Sequence, residues 1–399
     1  MTTATADKVL LAAPGKPASP MAQTIADVAR GQGISPFRQL REMMRLRFGA
    51  HKLGLHEYYS NQVYREGLSA ADKKTYVGER GSFLLNNRLS PKALTDMRPF
   101  VRDKVLYTAA LRQFGIATTQ TQAVASASRQ FGNLPGPSSA AEVEEFLLTK
   151  ATYPLFVKPE EGSGSVGSAL ITYCDTRRKM LKLANGKDIE VAAFAREAME
   201  DYGHGLVFQS AVTQHDDVRA LIGDAVGTVR VVTVIEDQTP KVLYALWKIP
   251  SPTAMSDNYW QDGSMIAAID AETGVVQQCH RGSGPGCEVI ENHPVSGKAI
   301  RGFQMPNWDK TLQAAMDGHK LLPEFGVFGW DVAVGPDGPV IIECNANPHH
   351  MLYQLANHDG ILNETFAPIF DRIEARAKRL QKERDARKVK DFKARKLGK

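Results

Sequence analysis

Cysteine is scarce in this chain, with 4 among 399 residues, and none of them belongs to a CxxC pair. The positions are Cys174, Cys279, Cys287 and Cys344. Scattered single cysteines argue against a structural zinc site and against a disulfide framework. Because this usage is typical of a reducing compartment, the sequence predicts a cytoplasmic protein.

Long apolar runs are missing as well. No stretch of about 18 uncharged apolar residues occurs, which argues against a transmembrane helix. Residues 1–34 are mostly small and polar, without the apolar stretch of a secretory signal, and are predicted to form a disordered leader. The glycine-rich loop at 162–167 lacks the GK[ST] ending of a P-loop, and no GxGxxG opens a helix.

Acidic residues are few at the C-terminal end. From Arg372 to Lys399 there are 13 Lys or Arg against 4 Asp or Glu, so a chain of net charge +5 has a body of net charge −4. Strong helix formers fill residues 371–399, and apolar positions are sparse. The pattern predicts a solvated basic helix. A patch for RNA or anionic lipid is the alternative, but Phe392 is the only aromatic residue there, so nucleic acid is an unlikely partner.

What is present divides the remaining chain into three regions. Residues 35–87 carry apolar and aromatic residues at helical spacing and predict an N-terminal helical region. Residues 88–151 predict a preceding α/β subdomain, in which Lys104 lies on an amphipathic helix that ends at Gly115. Residues 152–370 are rich in strands and form the core, with a part carrying the glycine-rich loop (152–215) and a part carrying an acidic hairpin (216–370). The oligomeric state cannot be read from the sequence.

The acidic hairpin, GWDVAVGPDGPVIIECNANP, joins two short apolar strands through Pro336-Asp337-Gly338. A three-residue loop with a left-handed glycine would place Asp331 opposite Glu343. Asn345 would share their face, because side chains alternate along a strand. The core would then receive the residues of the other face: Val332, Val334, Val340, Ile342 and Cys344. Hard oxygen ligands of this kind select Mg²⁺ or Mn²⁺. The alternative is an ordinary solvated hairpin face.

Three cations occur where a charge needs a partner. Lys158 ends an apolar strand that leads into the glycine-rich loop, whose exposed N–H groups suit a mobile flap over phosphates. Arg230 lies within the strand GTVRVVTV, and Lys248 lies near the end of the next strand. An unpaired charge in a core costs several kcal/mol, so each of these two residues either forms a structural ion pair or reaches a cleft.

The order of these motifs resembles the ATP-grasp superfamily, and among its members the sugar-transfer-associated and glutamate-ligase-like proteins. The resemblance runs from about Leu84 to Phe370, over the following segments: DKVLYTAALRQFGI, FVKPEEGSGSVGS, VFQSAV, GTVRVVTV, DNYWQDG and GWDVAV…VIIECNANP. It implies an α+β fold in which two α/β subdomains with antiparallel sheets clasp ATP. An N-terminal helical extension and a basic C-terminal helix would complete the chain.

The resemblance also implies roles for individual residues. Lys104 and Lys158 would hold the α- and β-phosphates of ATP. The backbone of a hinge would read adenine, and a glycine-rich flap would cover the phosphates. The hinge residues are Gln209, Ser210, Ala211 and Val212, and the flap residues are Gly162, Ser163, Gly164 and Ser165. Asp331, Glu343 and Asn345 would carry Mg²⁺ (or Mn²⁺), while Arg230 would face the γ-phosphate with Lys248 beside it as the catalytic residues.

By this resemblance the chain is expected to be an ATP- and magnesium-dependent carboxylate–amine ligase. No covalent nucleophile or general base stands out, which suits a reaction in which a substrate carboxylate attacks the γ-phosphate. The alternatives are a small-molecule kinase on the same fold and a non-catalytic ATP-binding module. The partners would be a small carboxylate and an amine, which the sequence does not identify. Loops around 253–264 and 279–305, together with the N-terminal helices, would select them.

Overall fold

The computed structural model describes residues 8–10, 21–49, 51–161, 166–252, 254–259 and 261–397. The described residues form one antiparallel sheet of six strands and another of seven, with helices packed on both. This two-sheet α+β architecture is the fold class predicted from the sequence.

The N-terminal part of the described chain is helical, as predicted for residues 35–87. Its α-helices are α1 Met21–Gln32, α2 Pro36–Phe48, α3 Leu55–Ser60, α4 Glu79–Leu89, α5 Arg98–Arg102 and α6 Lys104–Gln113. Ser35 caps α2 by accepting a hydrogen bond from the backbone N–H of Arg38, and Pro36 occupies the first helical position. These local signals explain where α2 begins.

The predicted disordered leader is wrong for two segments. Helix α1 falls inside it, and Val28 of this helix joins the apolar cluster of Met43 and Leu46. Leu10 is buried, and its backbone N–H donates to Oε1 of Glu197 at 2.7 Å. Composition did not predict these contacts, because a segment with few apolar residues can still be ordered when a neighbouring surface covers those residues. Of the rest of the leader, residues 1–7 and 11–20 lie outside the described residues.

The first sheet has the strand order β1-β6-β2-β3-β4-β5. Its strands are β1 Thr121–Ala125, β2 Leu155–Pro159, β3 Ala169–Asp175, β4 Met180–Leu183, β5 Asp188–Glu190 and β6 Leu206–Ser210. Helices α7 Ala140–Thr149 and α8 Val191–Tyr202 supply Phe146 and Phe194 to its core. Because β1 is an edge strand of this sheet, the predicted boundary between residues 151 and 152 runs through one structural unit.

The second sheet has the order β11-β10-β9-β8-β7-β12-β13. Its strands are β7 Thr228–Ile235, β8 Pro240–Ile249, β9 Met265–Ile269, β10 Val276–Arg281, β11 Glu288–Val289, β12 Val327–Val334 and β13 Pro339–Asn345. Helices α9 Asp216–Ile222 and α10 Trp308–Lys320 lie between these strands in the sequence, and α11 Met351–Asn357 and α12 Ala367–Leu397 follow them.

The acidic hairpin, formed by β12 and β13, has the predicted pairing but not the predicted alternation. Asp331 stands directly opposite Glu343, and then the register shifts so that Val332 pairs with Ile341. Ile342 is therefore the extra residue of a β-bulge. The core receives Ile341 in place of Ile342, and Val340 also stays outside it, so the prediction was wrong for both.

The turn of this hairpin is tighter than predicted. Gly335 and Gly338 exchange backbone hydrogen bonds in both directions, at 2.9 and 3.3 Å. The loop between them is the pair Pro336-Asp337, one residue shorter than expected. Gly338 has a φ of +140°, a conformation that strongly favours glycine.

The two faces of the seven-stranded sheet differ. On one face Val229, Val231 and Trp330 enter the largest apolar core. The other face begins apolar, with Val232 and Val234 packed in a second core. Thr228 and Arg230 lie on the same face, because side chains two residues apart along a strand share a face. This face is therefore polar toward one end of the strands.

Helix α12 contributes to the second core before it becomes solvated. Phe370, Ile373 and Ala377 are buried at helical spacing, and Arg376 is buried beside them. The packed part thus extends past residue 371, where the basic tail was predicted to begin. From Lys382 onward most residues are exposed, as expected for a solvated helix. No helix in the described part of the chain combines the length and apolar character needed to cross a membrane.

Candidate active site

The polar end of the seven-stranded sheet gathers residues from four strands. Arg230 of β7 pairs with Asp331 of β12, and Asp331 pairs with Glu343 of β13. Lys248 of β8 lies opposite Thr228 of β7. These pairings bring Arg230, Lys248, Asp331 and Glu343 together, and the register places Asn345 on the face of Glu343, as predicted.

Asp331 is the most enclosed charge of the site, with 3% of its surface exposed. Nη2 of Arg230 donates to its Oδ2 at 2.9 Å, and Nε of Arg230 donates to Oδ1. Nζ of Lys248 donates to Oδ2 at 3.1 Å. Burial alone would raise the pKa of Asp331, but the charges of Arg230 and Lys248 hold it well below its usual range. The carboxylate is therefore ionised and fully paired.

Asp257 is a second carboxylate of the site, and the sequence reasoning did not single it out. It lies 2.9 Å from Nζ of Lys248 and accepts a hydrogen bond from the hydroxyl of Thr228. Burial lowers the pKa of Lys248, but Asp257 and Asp331 outweigh it and raise the pKa. The quoted motif DNYWQDG begins with Asp257, so the signal was in the sequence without a role attached to it.

The two predicted phosphate lysines approach the same hairpin from the other sheet and its helix. Nζ of Lys104 on α6 lies 3.6 Å from Oε1 of Glu343 and donates to the backbone oxygen of Glu160 at 3.2 Å. Nζ of Lys158 on β2 donates to the backbone oxygen of Ile342 at 3.4 Å. Burial lowers the pKa of Lys158 to about 8, with Glu343 opposing and Lys104 adding to the shift. Both amines therefore lie next to the acidic hairpin.

An ion-pair network fixes the start of α6, where Lys104 stands. Asp103 caps the helix by accepting from the backbone N–H groups of Val105 and Leu106. Its other oxygen accepts from Nη2 of Arg129, which also pairs with Glu160. Arg129 was missed because its partners lie 26 and 31 residues away. Arg129 thereby positions Lys104, because it pairs with Asp103, which precedes Lys104, and with Glu160, whose backbone oxygen accepts from Nζ of Lys104.

A cavity of about 330 Å³ opens between the two sheets next to these charges. All four predicted hinge residues, Gln209, Ser210, Ala211 and Val212, line it, together with Thr228, Asp257 and Ile342. The amide nitrogen of Gln209 is buried there without a hydrogen-bond partner among the described residues. A Gln amide matches the N6/N7 edge of adenine, so this orphaned donor suits a purine. The predicted flap residues Gly162, Ser163, Gly164 and Ser165 lie outside the described residues.

The predicted metal ligands offer a donor set that fits Mg²⁺, which prefers oxygen. Glu343 leaves 33% of its side chain exposed and has one cation, Lys104, at 3.6 Å. The amide nitrogen of Asn345 is buried without a hydrogen-bond partner in the described structure. Asp331 is instead shared by Arg230 and Lys248. Glu343 is therefore more available to a metal ion than Asp331.

A larger cavity, of about 960 Å³, lies between the N-terminal helices and the segment that follows β13. Asn347 and His349 line it on one side, and Arg47, Lys52 and Arg80 line it on the other. Burial lowers the pKa of His349, and the charges of Glu79 and Arg230 also act on it. This cavity, here called the outer cavity, thus adjoins the charged end of the sheet.

Residues 86–367 match the model of the sugar-transfer associated ATP-grasp family. Because the match spans more than half of the chain and includes every predicted site residue, this protein belongs to that family. Its fold is the ATP-grasp fold. Among curated proteins, no sequence matches the chain.

Similar solved structures include ligases and a carboxylase. D-alanine–D-alanine ligase from Bacillus anthracis complexed with ATP is 14% identical, with 71% of this chain and 69% of that chain covered, at a TM-score of 0.39. L-amino acid ligase from Bacillus licheniformis is 13% identical, over 66% of this chain and 44% of that chain, at 0.36. Biotin carboxylase from Campylobacter jejuni is 10% identical, over 69% and 46%, at 0.41.

Proposed function

We propose that this protein is an ATP- and magnesium-dependent ligase that activates a substrate carboxylate and joins it to an amine. One observation carries the proposal. Lys104, Lys158, Arg230 and Lys248 converge from both sheets on the acidic hairpin, next to a cavity lined by the hinge. Four cations beside the carboxylates of Asp331, Glu343 and Asp257 suit a ligand that brings both phosphates and a divalent ion.

ATP would lie with its base at the hinge and its phosphates toward the acidic hairpin. Gln209 would donate to adenine, and Lys158 and Lys104 would bind phosphate oxygens. The flap residues 162–165 would cover the phosphates, as the family resemblance implies. Glu343 and Asn345, with Asp331 beside them, would hold Mg²⁺, which when bound neutralises phosphate charge.

The chemistry then depends on positioning and charge. A carboxylate oxygen of the substrate attacks the γ-phosphorus, a new P–O bond forms, and ADP leaves with the electron pair of the broken bond. The nitrogen of the amine next attacks the acyl carbon, phosphate leaves, and the amine loses a proton. Arg230 and Lys248 would stabilise the charge on the transferring group, because fixed cations in a buried site act strongly on such a charge.

The outer cavity is the proposed site of the carboxylate substrate. Arg47, Lys52 and Arg80 give it a positive lining. Of its two acidic residues, Glu57 is already engaged, since it accepts from the backbone N–H groups of Gly54 and Glu79. The cavity adjoins Arg230 through His349, so a carboxylate bound there would face the γ-phosphate.

A direct test of the reaction type uses hydroxylamine. The protein with Mg²⁺ and ATP is incubated with a panel of carboxylates, and ADP release and hydroxamate formation are both measured. Trapped hydroxamate indicates an activated carboxylate and supports the ligase. ADP release without hydroxamate, on a panel that includes hydroxyl acceptors, would instead indicate a kinase. No nucleotide binding by calorimetry would overturn both.

The substrate cavity has its own test once a carboxylate is found. Arg80→Gln should raise the KM for the carboxylate about tenfold, because a charge-assisted hydrogen bond contributes roughly 1.5–3 kcal/mol. The KM for ATP should stay unchanged. Arg88→Gln is the matched control, since Arg88 lies on the same helix and pairs with Glu374 at 3.5 Å. Equal effects of the two changes would place the substrate elsewhere.

A further inference from the structure

A second cluster of metal-binding side chains lies at the opposite edge of the seven-stranded sheet. It consists of His280 on β10, Cys287 just after the short 3-10 helix Gly284–Gly286, and His358 at the end of α11. One ligand atom from each residue lies within 4.8 Å of those of the other two. We propose that this His-Cys-His cluster binds a zinc ion.

The donor chemistry selects the metal. A thiolate and two imidazoles are ligands for Zn²⁺, whereas Mg²⁺ requires oxygen. Tetrahedral zinc with Zn–S of about 2.3 Å and Zn–N of about 2.0–2.1 Å sets its ligand atoms roughly 3.3–3.7 Å apart. Sγ of Cys287 is already 3.8 Å from Nδ1 of His280. The other two ligand-atom pairs lie within 4.8 Å, so side-chain rotations would have to shorten these distances to complete the site.

One imidazole nitrogen of the cluster has no other use in the described structure. Nε2 of His280 is buried and has no hydrogen-bond partner among the described residues. The other ring nitrogen, Nδ1, faces Cys287, so zinc on Nδ1 would fix the ring proton on Nε2. The rings of His280 and His358 lie 3.8 Å apart between centroids, at an interplanar angle of 33°.

The backbone fixes the third ligand. His358 adopts φ +51°, and its carbonyl oxygen accepts hydrogen bonds from the hydroxyl of Tyr76 at 2.8 Å and from Nη2 of Arg65 at 2.7 Å. The N-terminal helical region therefore holds His358 in place. Nε2 of Gln62 similarly donates to the backbone oxygen of Gly284 at 2.7 Å, in the turn that precedes Cys287.

The charge balance admits a dication. The charge of Arg65 acts to lower the pKa of all three side chains of the cluster. Glu288 and Tyr64 are further titratable neighbours of Cys287. Zinc binding would displace the thiol proton of Cys287, so that a sulfur–zinc bond forms and one proton is released to solvent. The resulting thiolate offsets part of the ion's charge beside Arg65. Cys287 and His358 are only partly buried, which leaves a path for the ion.

Three protein ligands leave one tetrahedral position for water. The ion would fasten β10, the 284–287 turn and the end of α11 to one another, at the place where Arg65 and Gln62 dock the N-terminal helices. The cluster shares no residue with the candidate active site. It goes beyond the proposed ligase function and does not depend on it.

The test measures metal content and thiolate ligation in the full chain. Protein purified without chelators and dialysed against zinc should hold about one zinc per chain, and Cys287→Ala should hold close to none. Titration with cobalt(II) should give the near-ultraviolet thiolate-to-cobalt charge-transfer band, which Cys287→Ala abolishes. His358→Asn should also lose zinc, because Asn tolerates the left-handed backbone while lacking the imidazole.

Cys174→Ala is the matched control, since Cys174 is a buried free thiol on the other sheet. It should keep zinc and the cobalt band, whereas Cys279 is too close to Cys287 to serve as a control. Zinc retained by Cys287→Ala, or no zinc in the wild type, would overturn the proposal. If Cys287→Ala fails to fold, the cobalt spectrum of the wild type decides, because absence of the band excludes thiolate ligation.

Discussion

The two edges of the seven-stranded sheet gather ligands in different ways. At the β13 edge, Asp331 and Glu343 face each other through strand register, within one hairpin. Near the other edge, formed by β11 with β10 beside it, His280, Cys287 and His358 come from a strand, a turn and the end of a helix. The first arrangement is local in the sequence. The second depends on how α11 packs against the sheet.

The chemistry of the edges differs as well. The candidate active site holds carboxylates, which are suitable ligands for a hard metal ion, among four cations, which are suitable partners for phosphates. The His-Cys-His cluster has soft ligands and one nearby cation, Arg65. A substrate-binding site needs charged groups that can exchange one partner for another, whereas a structural metal site needs ligands that remain bound to the ion. The comparison therefore predicts that changes at one edge leave the other edge intact.

The largest expected effect is on turnover. Under the proposed function, Glu343→Gln should lower ATP-dependent phosphate release by about 10²–10³-fold, because it removes an anionic ligand of the Mg²⁺ that would neutralise phosphate charge. Zinc content should not change. Asp337→Asn, in the exposed turn of the same hairpin, is the control and should retain full activity. Loss of zinc together with turnover would mean that the two edges are coupled, against the comparison.

The next effect is on stability, through the buried pair of Arg230 and Asp331. Arg230→Met should lower the free energy of unfolding by about 3 kcal/mol, since breaking a buried ion pair strands its partner. Arg372→Met, which breaks an exposed pair with Glu236, should change it by less than about 1 kcal/mol. Urea denaturation at pH 7 measures both. Equal losses would show that Lys248 alone satisfies Asp331.

Low pH should reduce the difference in unfolding free energy between the wild type and Arg230→Met. Because Arg230 and Lys248 hold the pKa of Asp331 below its usual value, the stabilisation is present above about pH 4, the ordinary Asp range. It is lost as pH falls toward the folded-state pKa. The unfolding curves of wild type and Arg230→Met should therefore converge in acid, and a constant gap down to pH 2.5 would contradict this assignment.

Local patterns predicted much of the site. The pairing of Asp331 with Glu343 was predicted, although the loop is one residue shorter than expected and the bulge at Ile342 restores the pairing. The Lys104 helix followed from its apolar spacing. Both depend on interactions between near neighbours in the chain. The prediction failed at Ile342, because a β-bulge is set by how three strands fit together and has no signature in one hairpin.

Long-range pairing set the limits of sequence reasoning. The sequence indicates that Arg230 needs an anionic partner. It does not identify this partner as Asp331, 101 residues away, because that pairing depends on β7 lying beside β12. Asp257 and Arg129 were missed for the same reason. His358 lies 78 residues from His280, and its left-handed backbone depends on contacts with Arg65 and Tyr76. The absence of CxxC spacing said nothing about a cluster assembled in this way.

A smaller effect is expected from Lys158 and is specific to the active-site edge. With a pKa of about 8, this lysine is charged below that pH and neutral above it. ATP phosphates favour the charged form, so nucleotide binding near pH 8.5 should take up a proton, and the KM for ATP should rise several-fold toward pH 9.5. The charged groups that act on Lys158 are Glu343, Lys104, Asp331 and Asp257.

Calorimetry in buffers of different ionisation enthalpy measures that proton uptake. Lys158→Arg should remove it and flatten the pH dependence, because arginine stays charged throughout. The exposed Lys150→Arg is the control and should behave like the wild type. Proton uptake that survives in Lys158→Arg would assign it to another group.

The smallest effect is expected from the basic tail, which belongs to neither edge. Deleting residues 386–399 removes an exposed helical end but keeps Arg384, which donates to Asp96 and to the backbone oxygen of Ala93. The free energy of unfolding should change by less than about 0.5 kcal/mol. Phosphate release and zinc content should be unchanged, because exposed charges are screened beyond about 8 Å at physiological salt. A loss of activity at that salt concentration, with unfolding unaltered, would instead mean that residues 386–399, with 7 Lys or Arg against 1 Asp, bind a substrate or partner.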